Sequence, residues 1–361
     1  MNRDLKVAVV GAGHLGRIHA KLLHQVSGAK LVAVCDPNAA AAKAVAAPHG
    51  VRSYNNYHDL INEIDAAVIA APTDAHAEIT QALLKANKHV FVEKPLTNDS
   101  DSARQLASLA AARRVVLQVG HVERFNPAFT ALDQFGVDVK YVEAVRASRF
   151  PGRCLDVGVV LDLMIHDLDL VLSMTGAPLR HVSASGLAVV SNHEDIAEAR
   201  LEFECGLVAN LKASRISPLP AREMTTYSPA GFAQIDFGKP SLATVSASDS
   251  LVDRSFCLHN ETENPLGYAD DLFSEHLRCE VQELEPRNAI LDELTDFVLS
   301  IQSGSVPMVD GSAGARAVEI ADLILDAIDQ RTWYQEAGAD QRGPLAIVRH
   351  RIERTPLRRA A

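Results

Sequence analysis

An aspartate and a histidine stand four residues apart in an otherwise apolar stretch of the sequence, as Asp162 and His166. The stretch, Val157–Met174, is apolar almost all round, which predicts a buried helix. Helical spacing places Asp162, His166 and Asp169 on one face, and buried ionisable groups are costly unless they are paired. A carboxylate can orient an imidazole and stabilise its protonated form, so we expect His166 to act as a general base. A structural Asp–His pair that only anchors the helix is the alternative.

A lysine follows an apolar run of the strand type, in Glu93-Lys94-Pro95. Ligands of open α/β sheets bind at the carboxyl ends of the strands, so we expect Lys94 to face a bound ligand. Its ammonium would stabilise an oxygen that develops negative charge. With a lowered pKa the amine would itself be the base. A solvated lysine at a strand end is the alternative.

Further donors follow in the segment His121–Pro127, which contains Arg124 and Asn126. They suit a polyhydroxylated or phosphorylated ligand, and an ordinary polar turn closed by Pro127 is the alternative. A diphosphate would need more cations, and the candidates are Arg146, Arg149, Arg153 and Arg215. For each of these the alternative is a surface arginine, and of the four we select Arg149 as a ligand contact.

The sequence Gly11-Ala12-Gly13-His14-Leu15-Gly16 matches G-x-G-x-x-G between a predicted strand and a predicted helix. Gly11 permits a tight turn, Gly13 a close approach of the backbone to a pyrophosphate, and Gly16 close packing of helix on strand. His14 and Leu15 open the helix, whose N-terminal N–H groups favour phosphate. Asp36 stands 20 residues after Gly16, where a carboxylate accepts hydrogen bonds from the ribose hydroxyls. No arginine follows it, so we expect NAD rather than NADP.

The elements that must position these residues change character near residue 121. Before it, short apolar runs alternate with helical patterns, which predicts a doubly wound parallel sheet, a Rossmann domain over 1–121. After it, alternating strand patterns around the helix Val157–Met174 predict an α+β domain with a large sheet over 122–335. We expect 336–361 to be a flexible basic tail, and the acidic stretch Glu261–Asp296 to be a solvated helical face.

Composition excludes several classes of protein. The 361 residues carry a net charge of −11, which argues against a nucleic-acid binder. We expect no signal peptide and no membrane segment. The five cysteines are odd in number and form no C-x-x-C pair, which fits a reducing cytoplasm and no metal site.

Taken together, these residues resemble the Gfo/Idh/MocA family of NAD(P)-dependent sugar and inositol oxidoreductases. The resemblance rests on Gly11–Gly16, Asp36, Ala71-Pro72-Thr73 with His76, Glu93-Lys94-Pro95 and Asp162-x-x-x-His166. It implies a Rossmann domain followed by an α+β domain with an open-faced, mainly antiparallel sheet. It also implies that Lys94, Asp162 and His166 form the catalytic group. The family's cofactor contacts fall on Thr73, His76 and Glu93.

A closer resemblance, through Gly120–Pro127 and Leu161–Asp169, is to the branch with UDP-N-acetylglucosamine 3-dehydrogenases. This branch works with an aminotransferase in some lipid A pathways. It implies oxidation of a secondary sugar hydroxyl by NAD, with Lys94, Arg124, Asn126, Arg149 and His166 at the substrate. The alternatives are an inositol or free-sugar dehydrogenase, a non-catalytic NAD(H)-binding regulator, and an enzyme that acts through a transient ketone without net NADH. We expect a homodimer or homotetramer, because an open sheet face commonly pairs.

Overall fold

The computed structural model describes residues 3–135, 138–150, 157–256, 270, 272–334 and 341–346. These residues form two compact units. The first draws on 1–125, 152–172 and 288–326, and the second on 126–151, 173–287 and 327–361. The predicted division at residue 121 differs from these units, because two later segments group with the first part of the chain. Arg153 and the predicted basic tail, except 341–346, lie outside the described residues.

Helices account for much of both units. In chain order the described α-helices are α1 (His14–Leu22), α2 (Ala39–Ala46), α3 (Thr73–Lys85), α4 (Ser100–Arg113), α5 (Pro127–Phe135), α6 (Ile165–Met174), α7 (Asp249–Val252), α8 (Ala289–Ser303) and α9 (Gly311–Gln330). Short 3-10 turns lie at Leu23–Gln25, Ala47–His49, Tyr57–Glu63 and Val122–Phe125, and π-helical turns at Val160–Met164 and Leu272–His276. Among these described helices, none combines the length and the apolar character that a membrane crossing requires.

The first unit is built on a parallel sheet of six described strands. They are β1 (Leu5–Val10), β2 (Ala29–Cys35), β3 (Arg52–Tyr54), β4 (Ala66–Ile69), β5 (His89–Glu93) and β6 (Leu117–Gly120). Their order is β3-β2-β1-β4-β5-β6, so the direction of winding reverses between β1 and β4. Every residue of β4 is buried, as expected for a strand covered on both faces. The predicted doubly wound Rossmann sheet is confirmed.

The core beneath β1 and β2 includes residues from far along the chain. Leu294, Phe297 and Val298 of α8 belong to the same buried cluster as Val7 and Val9 of β1. The ring of Phe297 lies 5.9 Å from that of Phe91, edge to face. The apolar face of α8 therefore completes the Rossmann core, which explains why 288–326 group with the first unit.

The second unit is built on a mainly antiparallel sheet of eight described strands. They are β7 (Tyr141–Ala147), β8 (Leu179–Leu187), β9 (Ile196–Phe203), β10 (Val208–Ser214), β11 (Ala221–Ser228), β12 (Gly231–Asp236), β13 (Ser241–Ala247) and β14 (Leu277–Glu283). Their order is β14-β13-β12-β11-β7-β10-β9-β8, and β7 with β10 is the one parallel pair in it. Residues of β7 and β9 alternate between buried and exposed, so one face covers a core. A short pair, β15 (Thr332–Tyr334) with β16 (Gln341–Arg342), lies apart.

The acidic stretch is only partly the solvated helix that its charge predicts. Its segment 277–283 is the edge strand β14, which pairs with β13 and is exposed along nearly its whole length. The prediction of a helical face there is wrong because charged residues also protect an edge strand from pairing with other chains. Helix α8 begins at Ala289, within the stretch.

Candidate active site

The loop between β1 and α1 has the shape that a pyrophosphate requires. Gly11 has φ of +108°, and a Cβ there would collide with the carbonyl of Ala70. A Cβ on Gly16 would collide with the carbonyl of Gly11, whereas the space beside Gly13 is open. Gly13 is the N-cap of α1, and the first turn of that helix, with His14 and Leu15, carries no acidic residue. Two glycines therefore fix the turn, and the third leaves the N-terminal N–H groups accessible to an anion.

Asp36 follows β2 and is fastened to the same loop. Its Oδ2 accepts the N–H of Ala12 at 2.8 Å, and its Oδ1 accepts the N–H of Asn38 at 2.8 Å. The side chain is only partly buried, and each carboxylate oxygen can accept a further hydrogen bond. The residue thus braces the loop and still presents acceptors for ribose hydroxyls. The bond to Ala12 was not predicted from the sequence, because it joins two separate strand ends.

Thr73 and His76 lie in the first turns of α3. Thr73 is the first residue of that helix, and His76 is 1% exposed. The His76 Nδ1 lies 2.8 Å from the carbonyl of Pro95, and its Nε2 lies 2.9 Å from the carbonyl of Ala71. The ring therefore bridges the loop after β4 and the loop after β5. The second of these loops contains Lys94.

Lys94 follows β5, at the carboxyl edge of the parallel sheet. Its Nζ donates to the main-chain oxygen of Asp162 at 2.6 Å and to the carboxylate Oδ1 of Asp162 at 3.1 Å. The Lys94 side chain is 17% exposed and that of Asp162 is 11% exposed. An ammonium donates three hydrogen bonds, so one N–H remains for a ligand oxygen. The Lys94–Pro95 peptide bond is cis.

The segment with Asp162 and His166 differs from the regular helix that its sequence predicts. Residues 160–164 form a π-helical turn, and α6 begins only at Ile165. The extra residue in that turn changes the angle between Asp162 and His166 from the α-helical spacing. The contacts of the Asp162 carboxylate go to Lys94. His166 lies in the first turn of α6 and is partly exposed.

Arg124 forms an ion pair with Asp169 of α6. Its Nε donates to Asp169 Oδ2 at 2.7 Å, and its Nη2 donates to Asp169 Oδ1 at 3.2 Å. The Asp169 side chain is 2% exposed and that of Arg124 is 14% exposed. This two-point pair fixes α6 to the turn Val122–Phe125, so two of the donors expected for a ligand serve the protein instead. The partner of Asp169 was not predicted from the sequence.

His121 precedes this turn and is entirely enclosed, with 1% of its surface exposed. Burial lowers its pKa, the charge of Asp169 opposes that effect, and Arg124 and Lys94 reinforce it. The ring is therefore neutral. Among the described residues, neither of its nitrogens has a hydrogen-bond partner.

Asn126 and Arg149 belong to the second unit. The Oδ1 of Asn126 accepts the N–H of Ala128, at the start of α5, and its Nδ2 lies 3.5 Å from the carbonyl of Phe237. Arg149 is exposed, and its Nε donates to the carbonyl of Pro218 at 3.2 Å. The described contacts of both residues are thus to their own unit.

A glycine loop open to an anion, a carboxylate beside it and a lysine at the edge of a doubly wound sheet define a dinucleotide-binding Rossmann protein. The oxidoreductase family model with an NAD-binding Rossmann fold matches residues 5–121, and the GFO/IDH/MocA C-terminal domain model matches residues 134–231. The chain belongs to the Gfo/Idh/MocA family and is an NAD-dependent oxidoreductase, as the sequence predicted.

Individual relatives agree with this assignment. UDP-N-acetylglucosamine 3-dehydrogenase of Acidithiobacillus ferrooxidans is 35% identical over 326 residues, covering 90% of this chain and 97% of the relative. The solved structure of that dehydrogenase has a TM-score of 0.79 at 34% identity, over 90% of this chain and 98% of the other. The scyllo-inositol 2-dehydrogenase (NAD(+)) of Bacillus subtilis is 31% identical over 237 residues, 60% of this chain and 69% of the relative.

Proposed function

We propose that this protein is an NAD-dependent sugar dehydrogenase that oxidises the 3-hydroxyl of UDP-N-acetylglucosamine, or of a similar nucleotide sugar, to a ketone. The main support for this reaction is the Lys94–Asp162 pair, which keeps some exposure at the carboxyl edge of an NAD-binding sheet. Support for this substrate comes from the dehydrogenase relative, of which this chain covers 97%. The ketone would suit an aminotransferase that makes a 3-amino sugar for lipid A.

The cofactor fits the residues of the first unit. Gly11, Gly13, His14, Leu15 and Gly16 would hold its pyrophosphate through backbone N–H groups, because the loop is open at Gly13. Asp36 would bind the adenosine ribose and oppose a 2′-phosphate. Thr73, His76 and Glu93 would line the approach to its nicotinamide end. When bound, NAD⁺ accepts the hydride that leaves the substrate carbon.

The chain's own residues would manage the proton and the charge on the oxygen. His166 would take the hydroxyl proton, since it is partly exposed next to the π-helical turn. Lys94 would donate its remaining N–H to the same oxygen and stabilise the negative charge that develops there. Asp162 would hold the ammonium in place, a role that differs from the pairing with His166 that the spacing favoured. Arg124, whose Nε and Nη2 are held by Asp169, would offer its remaining N–H groups to the substrate, and the contacts expected of Asn126 and Arg149 stay predictions.

The test of this function is the appearance of NADH by absorbance after UDP-N-acetylglucosamine is added to enzyme with NAD⁺. Activity with the nucleotide sugar and little with myo-inositol supports the proposal. Preference for myo-inositol would favour the inositol dehydrogenase alternative, for which inositol dehydrogenase relatives at 31% and 27% identity give some support. Product without net NADH would favour the redox-neutral enzyme, and NAD binding without turnover would favour the regulator.

The His166→Ala variant tests the base within this assay. A general base contributes about 10²–10⁴-fold, so we expect kcat to fall by that range while NADH still binds, as measured by fluorescence titration. Ser173→Ala, a change at an exposed position of α6, is the control for disturbance of the helix. Unchanged turnover in His166→Ala would remove His166 from the mechanism and leave Lys94 as the base.

We also propose that the protein is a cytoplasmic homodimer or homotetramer. The support is the second sheet, which presents Val145 and Tyr227, each 38% exposed, to solvent. Light scattering coupled to size exclusion measures the mass, and a monomer at micromolar concentration would contradict this proposal.

A further inference from the structure

Three buried titratable side chains meet inside the first unit. They are His19 of α1, Glu93 at the end of β5 and Glu293 of α8, which are 0%, 7% and 1% exposed. One ligand-type atom of each lies within 4.8 Å of those of the other two. The Nε2 of His19 is 2.6 Å from the Oε1 of Glu93, a short hydrogen bond. Since Glu93 precedes Lys94 in the chain, the cluster adjoins the lysine that we propose to act on the substrate.

The cluster is incompletely satisfied. Among the described residues, no hydrogen-bond partner reaches Glu293 Oε2, His19 Nδ1 or Gln118 Oε1. Gln118 is nevertheless next to the cluster, because its Nε2 donates to the main-chain oxygen of Glu293 at 2.9 Å. A buried polar atom without a partner costs about 1–3 kcal/mol, and more when it is charged. A proton on Glu293 removes the charge and supplies a donor.

Within the part of the chain that the structure describes, the elements packed on α8 place no second cation beside Glu293. Helix α8 packs on α1 and on the turns Leu23–Gln25 and Val122–Phe125. Of the titratable groups on these elements, His24 is exposed and stacked on His49, and the Arg124 guanidinium pairs with Asp169. Glu123 is a further buried acid, and the basic side chains Arg17 and Lys21 of α1 are exposed. Burial, followed by the charge of Glu93, raises the pKa of Glu293 well above its usual range.

A metal ion is the other way to balance two carboxylates and an imidazole. The His19–Glu93 distance argues against it. At 2.6 Å the two atoms are hydrogen-bonded to each other, whereas two metal ligands direct their lone pairs at the ion.

We propose that Glu293 and His19 are positioning residues for the reaction: Glu293 stores one proton as a neutral acid, and with His19 it holds Glu93, and through it Lys94, at the end of β5. The role in turnover rests on the proposed function. The stored proton does not, and the two are tested separately.

The first experiment compares the stability of wild type and E293Q against pH, by denaturant unfolding. Glutamine has the shape of the neutral acid but cannot lose a proton. If folded wild type keeps a proton that the unfolded chain releases above pH of about 4.3, each further pH unit should lower the wild-type folding constant about tenfold relative to E293Q. This fall continues until the folded state also releases the proton. The proposal is overturned if the ratio of the wild-type folding constant to that of E293Q is constant with pH. A stoichiometric metal found by mass spectrometry of the native protein also overturns it.

The second experiment measures kcat, KM and NADH binding of E293Q and E293M with UDP-N-acetylglucosamine. Both variants fill the space, but only glutamine can hydrogen-bond to the cluster. We expect E293Q to stay within about threefold of wild type, and E293M to lose about tenfold in kcat with NADH affinity retained, because a small displacement of a positioned group is costly. Should E293M not fold, H19N replaces it. Wild-type kcat in E293M, or in H19N where that variant stands in for it, overturns the positioning role. An inactive wild type contradicts the proposed function and leaves the pH result standing.

Discussion

Lys94–Asp162 in the first unit and Arg215–Asp195 in the second are both ion pairs of a cation with an aspartate, yet their surroundings differ. Both side chains of the second pair are 0% exposed, and Arg215 Nε donates to Asp195 Oδ1 at 2.8 Å. Both side chains of the first pair keep some exposure, at 17% and 11%, and their contact is 3.1 Å long. The first pair can therefore take on a ligand, and the second cannot do so without opening.

Hydrogen bonding sharpens the difference. Asp195 Oδ2 accepts the N–H groups of Val189, Val190 and Ser191 at 2.6–3.0 Å, so the carboxylate fixes a loop. The Arg215 guanidinium lies over the ring of Phe150 at 5.4 Å. Arg215 was a candidate for a diphosphate, with a surface arginine as the alternative, and it is neither in this structure. The buried Arg215–Asp195 pair, whose hydrogen bonds go to the protein, stabilises the fold. The Lys94–Asp162 pair keeps some exposure and is available for chemistry.

The largest expected effect is on stability, from Arg215→Met. Removal of one partner leaves Asp195 buried without its cation, so we expect the free energy of unfolding to fall by about 3–5 kcal/mol. Denaturant unfolding followed by circular dichroism measures it. Restoration of part of that loss by the double change Arg215→Met with Asp195→Asn would assign it to the stranded charge. A loss below about 1 kcal/mol would place this pair with ordinary surface pairs.

The same pair has a defined pH dependence. Burial alone would raise the pKa of Asp195, but the three backbone donors and Arg215 outweigh it and hold the pKa below its usual range. A carboxylate with a lowered folded-state pKa stabilises fully above its unfolded pKa of about 3.9, and that contribution is lost as pH falls through the folded value. The stability gap between wild type and Asp195→Asn should therefore be constant at neutral pH and shrink in acid.

For the Lys94–Asp162 pair we expect a large effect on turnover and a smaller effect on stability. In Lys94→Met we expect kcat to fall about 10²–10³-fold, because one stabilising donor at the developing charge is lost. Stability should fall by less than in Arg215→Met, since both side chains of the Lys94–Asp162 pair keep some exposure to water. Steady-state kinetics and the unfolding assay used for Arg215→Met give both numbers. A variant that loses only NADH affinity would make Lys94 a cofactor residue and weaken the contrast.

The two pairs also show what the sequence could predict. Gly11–Gly16 and Asp36 were identified because a turn, a helix start and a strand end are local features with a fixed spacing. Lys94 and Asp162 were both singled out, but their pairing joins positions 68 residues apart. The π-helical turn that contains Asp162 has no clear signal in an apolar stretch. Local rules predict elements and their order, and tertiary packing decides which side chains meet.

The residues that sequence reasoning missed were hidden for the same reason. Asp195, the partner of Arg215, lies in a turn between β8 and β9 and reads there as an ordinary polar residue. Glu293 stands in an acidic stretch, where its neighbours suggest solvent, although its own position on α8 faces the core. The burial of His19 has only a weak signal in the sequence. It lies three residues after Gly16 and next to Ala20 on α1, and both of these residues are buried.

Asp36 combines one feature of each pair and should give the smallest effect. Like Asp195 it accepts backbone N–H groups, from Ala12 and Asn38, and like Lys94 it is only partly buried. If accessibility rather than hydrogen bonding marks a ligand residue, Asp36→Ala should weaken NAD binding about tenfold, the loss of one hydrogen bond to a charged group. Discrimination against NADP should also relax, because the carboxylate no longer repels the 2′-phosphate.

Titration of both cofactors by fluorescence measures the Asp36→Ala effect, with Asp59→Ala as the control for net charge, since Asp59 is exposed in the turn Tyr57–Glu63. If the affinity for NAD and the affinity for NADP are both unchanged in Asp36→Ala, the ribose role is contradicted. The bonds to Ala12 and Asn38 would then be its main function, and Asp36 would resemble Asp195, an organiser of a loop. A loss of NAD affinity with unchanged stability would instead separate the two by their exposure to ligand.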